Sequence, residues 1–107
     1  MIARMWQGTV PKEKSVHYHE YVKQTGLKDY FNIDGNITAF IFSRDEGDVT
    51  HFFVLSIWRD LKAIKKFAGE DYERARYYPE DEKFLMELTP FVTHFEVIEP
   101  SNRYVDL

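Results

Sequence analysis

The chain has 107 residues and no cysteine, with 44% apolar and 17% aromatic side chains and a formal charge of −4. That length makes one domain able to bury about two thirds of the surface its unfolded chain would expose. The lack of cysteine excludes disulfides, a thiolate nucleophile and any Cys-ligated metal centre. The negative balance argues against a phosphate-tracking face: the densest positive runs, Lys12 with Lys14 and Lys62 with Lys65 and Lys66, read as solvated helix faces, so no nucleic-acid partner is expected.

The start MIARMWQGTV lacks the pattern of a signal peptide, and no segment nears the roughly 20 apolar residues that cross a bilayer, so the expectation is a cytoplasmic protein without membrane contact. Residues 2–10 alternate as a strand, with Ile2, Arg4, Trp6, Gly8 and Val10 on one side and Ala3, Met5, Gln7 and Thr9 on the other. Pro11 closes the strand and opens a helix predicted over 11–25, in which Tyr18, Tyr21, Val22 and Thr25 share a face and Gly26 supplies the stop. A further helical turn within 27–33 precedes the turn signal Asp34-Gly35. Strands are predicted over 37–43 and 50–58, joined by the loop Arg44 to Asp48, which makes them antiparallel neighbours. Asp60 then reads as the N-cap of a helix with Leu61, Ile64, Phe67 and Ala68 on its inner face, interrupted at Gly69. Two more helical pieces are predicted beyond it, the second opened by Pro79 and burying Phe84, Leu85 and Leu88, before Pro90 and a last strand over 91–98. The domain is expected to span 1–99, with 100–107 as a tail too short and polar for a core of its own.

This order of strand, helix, two strands, helix and strand is the split βαβ pattern of an antiparallel ferredoxin-like α+β sheet, with helices over a single face. Yet the third strand is apolar on both sides: His51, Phe53, Leu55 and Ile57 form one row, and Phe52, Val54, Ser56 and Trp58 the other. The second strand adds Ile37, Ala39 and Ile41 against Phe40 and Phe42. Leaving about six such side chains in water forgoes roughly 1.5 to 3 kcal/mol each, as much as a small domain's whole stability, so a homodimer packed sheet to sheet is expected.

The start IARMWQGTVP, the run FFVLSIWRDLKAIKKFAGEDYERARYYPEDEKFL and the closing THFEVIE resemble the antibiotic biosynthesis monooxygenase superfamily of dimeric α+β barrels, over about residues 2–99. The strand-to-helix turn Ser56 to Asp60 and the run Phe67 to Leu85 are the most specific pieces and resemble a group of short, mostly uncharacterised bacterial members. The resemblance implies a ligand cavity between sheet and helices. Superfamily members include cofactor-independent oxygenases of polycyclic phenols, quinol monooxygenases and heme-degrading enzymes. The heme-degrading members carry an asparagine on strand one and a tryptophan and a ligating histidine on the second main helix; here those places hold Trp6, Phe67 and Tyr77, which argues against heme degradation. The polyphenol oxygenases line the cavity with a strand-three asparagine and a tryptophan at its end; Trp58 matches the second, whereas Val54 stands at the first.

The implied pocket would draw on Trp6, Trp58, Val54, Phe67 and Tyr78 as ligand-binding walls, with Tyr77 beside them; these rings are equally suited to filling a core. His94, Tyr77 and Arg76 are the candidate catalytic groups, His94 on the condition that the last strand turns its even side to the cavity. Arg76 would bind an anionic oxygen, or else pair with Glu73, Glu80 or Asp81. His51, in the outer row, reads as an interface histidine. His17 and His19 stand about 200° apart on a helix and cannot share a metal. No metal loop, phosphate-cradling glycine motif or serine-nucleophile signature occurs, so neither metal nor cofactor is expected. Two functions remain open: a cofactor-independent monooxygenase of a small aromatic or quinol-like compound, and a non-catalytic dimeric binding or stress-response protein with the same cavity.

Overall fold

A computed structural model describes residues 1–99; the predicted tail over 100–107 lies outside the described residues. Four strands form one antiparallel sheet: β1 Ile2–Pro11, β2 Asn36–Glu46, β3 Val49–Trp58 and β4 Thr93–Glu96, in the order β2-β3-β1-β4. That order, with helical crossovers between β1 and β2 and between β3 and β4, is the ferredoxin-like α+β arrangement. The register sets Ile2 opposite Trp58, Arg4 opposite Ser56, Trp6 opposite Val54 and Gly8 opposite Phe52. Partners in an antiparallel ladder share a face, so the even-numbered residues of β1 and β3 form one continuous inner surface. Arg4, Trp6, Gly8, Val10, Phe52, Val54, Ser56 and Trp58 are all buried.

The β2–β3 hairpin is tighter than predicted. Both strands continue until Glu46 pairs with Val49, leaving a two-residue turn in which Gly47 adopts a φ of 59° at the position where a type II′ turn needs glycine. Thr50 Oγ1 donates to Asp45 at 2.7 Å and ties the strand ends together, so the predicted loop residues 44–46 join the ladder.

In the first crossover a tight turn at Lys12–Lys14 leads into α1 (Ser15–Val22), a wide π-helical turn at Lys23–Leu27, and α2 (Lys28–Phe31). Gly26 is therefore not the predicted stop. A glycine that ends a helix does so in the left-handed region, and Gly26 has no positive φ. Instead Thr25 Oγ1 donates to the Tyr21 carbonyl at 2.8 Å, a back-bond that accompanies distortion of the helix, and the chain runs on to bury Tyr30.

The second crossover opens with α3 (Leu61–Ala68), capped by Asp60, whose Oδ1 accepts from the Ala63 amide at 2.9 Å. Gly69, at φ 85°, ends it. The stretch 70–80 does not form the first of the two helical pieces predicted there; only α4 (Asp81–Phe84) follows. Its backbone is engaged across the chain instead: Ala75 N–H donates to the Pro90 carbonyl and Val92 N–H to the Glu73 carbonyl, both at 2.9 Å. This pairing occupies residues 90–92, so β4 is shorter than predicted, and Leu88 is exposed rather than buried.

Among the described residues no helix covers the other face of the sheet. His51, Phe53, Leu55 and Ile57 are half-buried there by their neighbours, while Phe40 and Phe42, stacked with centroids 6.1 Å apart, remain 40% and 46% exposed. No helix among the described residues is long and apolar enough to cross a membrane.

Candidate functional site

Between the inner face of the sheet and the two crossovers the core leaves a cavity of about 40 Å³. Arg4, Trp6 and Val54 form its floor, Tyr18, Val22, Thr25, Gly26, Leu27 and Tyr30 one wall, Phe67 another, and Arg76, Tyr77, Tyr78 and Asp81 its roof. The π turn thus contributes three consecutive residues to the wall.

Trp6 is set by its strand and by Gly8, since a side chain at Gly8 would collide with the indole. Its Nε1–H donates to the Tyr77 hydroxyl at 3.3 Å, and that hydroxyl donates to the Thr89 carbonyl at 2.6 Å. Phe67, on the buried face of α3, carries two guanidinium groups: Arg76 at 4.8 Å and Arg4 at 5.4 Å from the ring centre. Arg76 also donates to the Phe67 carbonyl at 2.9 Å and pairs with Asp29 at 3.5 Å, so its carboxylate partner is none of the three predicted. Asp29 also accepts a hydrogen bond from the Tyr78 hydroxyl.

At the opposite end of the roof, Asp81 is 5% exposed. Its carboxylate accepts from the Tyr78 amide at 2.6 Å and from the Tyr18 hydroxyl at 3.2 Å. Burial pushes the Asp81 carboxyl above the usual carboxylate range, and these two bonds pull it partly back. Burial likewise raises the Tyr18 phenol, with Asp81 adding to the shift, and raises Tyr78, with its bond to Asp29 adding to it. Tyr30 is raised by burial against the pull of the Arg4 guanidinium. Each phenol therefore stays protonated near neutrality, the protons of Tyr18 and Tyr78 being donated to Asp81 and Asp29.

Of the residues singled out in the sequence, Trp6, Val54, Phe67, Arg76, Tyr77 and Tyr78 come together around this cavity, with Tyr77 on the irregular roof rather than on a main helix. Trp58 and His94 do not line it. Trp58 faces inward as read but is fully buried, sealed beneath Tyr30 at 5.4 Å and Phe67 at 6.1 Å, its Nε1–H donating to Ser56 at 2.8 Å. His94 does point to the inner side, opposite Arg4 in the ladder. It packs against Tyr72 at 5.3 Å, and borders a surface groove with Met1, Ile2 and Arg59. Burial lowers its pKa, aided by Arg4. Among the described residues no cluster of three His, Asp or Glu side chains could hold a metal ion.

Arg4, Tyr18, Tyr30 and Asp81 also line the cavity, and the sequence reading gives none of them a place in the site. For Arg4 a signal exists: it is a charge in the inward row of β1, between Ile2 and Trp6. Asp81 sits in an acidic run that reads as a solvated helix start, and nothing local marks it as buried.

Sheet order, one-sided helical cover and an aromatic cavity carrying arginines define a ferredoxin-like α+β protein with an internal cavity. No protein-family profile and no curated protein matches the chain. The three-dimensional fold does find a counterpart. A crystal structure of a "putative antibiotic biosynthesis monooxygenase" from Bacillus cereus matches at a TM-score of 0.58, covering 94% of this chain and 92% of that one at 15% identity. This chain therefore shares the fold of that protein, and at that identity the likeness extends to the fold alone.

Proposed function

We propose that this protein is a cytoplasmic homodimer that binds a small aromatic, quinol-like compound in the sheet-to-helix cavity and oxidises it with O₂ without a bound cofactor. The observation that carries this reading is the lining: the rings of Trp6, Tyr18, Tyr30 and Phe67 surround the space, and the Arg76 guanidinium stands over the Phe67 ring at 4.8 Å. Rings offer stacking surface to a flat ligand, and a guanidinium stabilises the phenolate that reacts with O₂.

In such a reaction a phenol gives up its proton, with Tyr77 and Asp81 as the proton-handling groups at the cavity. The electron-rich ring then adds O₂ at a C–H carbon. The ring-bound hydroperoxide loses water, so that one oxygen atom stays as a new carbonyl and the other leaves as H₂O. All four electrons come from the substrate. This reading gives His94 no part.

About 40 Å³ is less than the roughly 150 Å³ of a cavity that holds benzene, so a ring is admitted only when the roof over 76–81 lifts. That motion would break the contacts of Arg76 and Tyr78 with Asp29. The same closed geometry favours the second reading, a binding protein without turnover. Oxygen consumption over a panel of quinols and hydroxyanthrones, run beside ligand-induced melting shifts of wild type and Trp6→Leu, separates the two. Turnover that Trp6→Leu weakens supports the oxygenase; melting shifts without oxygen uptake assign the binding protein; neither response removes the cavity from consideration as the site.

A further inference from the structure

Arg4 is 2% exposed, on a strand whose inward neighbours are Trp6, Gly8 and Val10. The other described arginines each have a carboxylate: Arg44 pairs with Glu46, Arg59 with Asp34, Arg74 with Asp71 and Arg76 with Asp29. Arg4 forms no ion pair among the described residues. One Nη donates to the Arg74 carbonyl at 3.2 Å, the Phe67 ring lies 5.4 Å away, and the buried Nε has no hydrogen-bond partner. A guanidinium does not shed its proton at any ordinary pH, so the site carries a desolvated positive charge that no carboxylate among the described residues neutralises, the neighbouring Tyr30 hydroxyl being uncharged. Such an arrangement is costly unless something neutralises it. Water in the cavity would satisfy an N–H, but it brings no charge.

We infer that the ligand supplies the counter-charge: the cavity takes an aromatic carboxylate, whose carboxylate pairs with Arg4 while its ring lies along Trp6 and Phe67. This rests on the reading of the cavity as a site for a ring. A carboxylate fits because it is ionised throughout the neutral range, whereas a phenol with a pKa near 10 arrives uncharged, and because the planar fork of arginine matches two carboxylate oxygens. Arg76 has Asp29 to return to whenever the cavity is closed, whereas Arg4 has no carboxylate partner among the described residues.

The test is calorimetric titration of the full chain with three probes: 2,5-dihydroxybenzoate, hydroquinone, which is the same ring without the carboxylate, and cyclohexanecarboxylate, which is the charge without the aromatic ring. Wild type should bind dihydroxybenzoate about tenfold or more tightly than hydroquinone. Arg4→Met should reduce that preference to about twofold or less, while Arg4→Lys, which keeps the charge and loses the fork, should retain part of it. Equal affinity for the two rings in wild type, or an undiminished preference in folded Arg4→Met, overturns the inference and leaves the ring site standing. If Arg4→Met does not fold, the wild-type comparison and Arg4→Lys decide. Arg4-dependent binding of cyclohexanecarboxylate without either ring upholds the charge pairing and removes the ring site. No binding of any probe overturns both.

Discussion

The indole of Trp6 lies across Gly8, two residues further along the same face of β1, and takes the volume that any side chain at Gly8 would need. A methyl group there would press into the indole and, at 2.8 Å, into a methyl of Leu85. Gly8→Ala should therefore lower stability. Overpacking of this kind costs about 1–3 kcal/mol, against roughly 0.4–1 kcal/mol gained by stiffening the unfolded chain. The urea midpoint should fall and the tryptophan emission should shift as the indole is displaced. An unchanged midpoint would mean that Trp6 is free to vacate the space.

Asp60 closes the turn between β3 and α3 by accepting from the Ala63 amide at 2.9 Å. Asp60→Ala should destabilise the protein by about 1 kcal/mol and Asp60→Asn by much less, since Asn keeps the accepting oxygen. Equal losses for the two in chemical denaturation would shift the explanation from capping to charge.

The sheet and this cap were legible in the sequence because their signals are local. Period-two alternation assigns Trp6, Val54 and Trp58 to one face, and Asp60 stands directly before an amphipathic run. The roof was not legible. Residues 70–80 have the polar, charged composition of a surface helix, and what sets their path is pairing with residues 90–92, close in space but well removed in sequence. Gly26 misled for a related reason: a glycine after an apolar face usually ends a helix, but burial of Tyr30 further on favours continuing the turn. Arg4 could have been noticed. A charged residue in an inward row is a local rule broken, and such breaks concentrate at functional sites.

Asp29 holds the roof down through Arg76 at 3.5 Å and the Tyr78 hydroxyl. The ion pair is about 40% exposed on both sides, 41% for Arg76 and 39% for Asp29, so screening keeps its worth below about 1 kcal/mol. Asp29→Ala should thus leave the global midpoint nearly unchanged while loosening the roof locally. Hydrogen exchange at the Tyr78 and Asp81 amides, which bond across the roof turn, should speed by roughly an order of magnitude. Unaltered exchange would assign the closure to Trp6–Tyr77 and Asp81 instead.

Leu55 stands on the uncovered face of the sheet between Met5 on β1 and Phe40 on β2. In the proposed sheet-to-sheet dimer a two-fold axis brings this surface against its own copy, so Leu55→Glu would set two carboxylates in one apolar seam. Wild type should sediment as a dimer at micromolar concentration and Leu55→Glu as a folded monomer. A wild-type monomer under those conditions ends the dimer proposal.

Asp81 gives the pH dependence its sign. Burial raises its carboxyl in the fold, so the stability tied to it is fully present below about pH 4, its unfolded value, and is lost as pH rises through the higher folded value. Asp34 and Glu46 act in the opposite sense, held low by hydrogen bonds from Arg59 and His51 respectively, and would obscure the effect in wild type alone. The informative quantity is the stability of Asp81→Asn minus that of wild type across a pH series of urea unfolding. Asn cannot ionise and keeps one accepting oxygen for the Tyr78 amide or the Tyr18 hydroxyl, so its loss relative to wild type is greatest near pH 4 and shrinks toward pH 7. A difference that grows instead would mean that the two hydrogen bonds to the carboxylate outweigh its burial, and Asp81 would then be an ionised anchor of the roof rather than a group poised to exchange a proton.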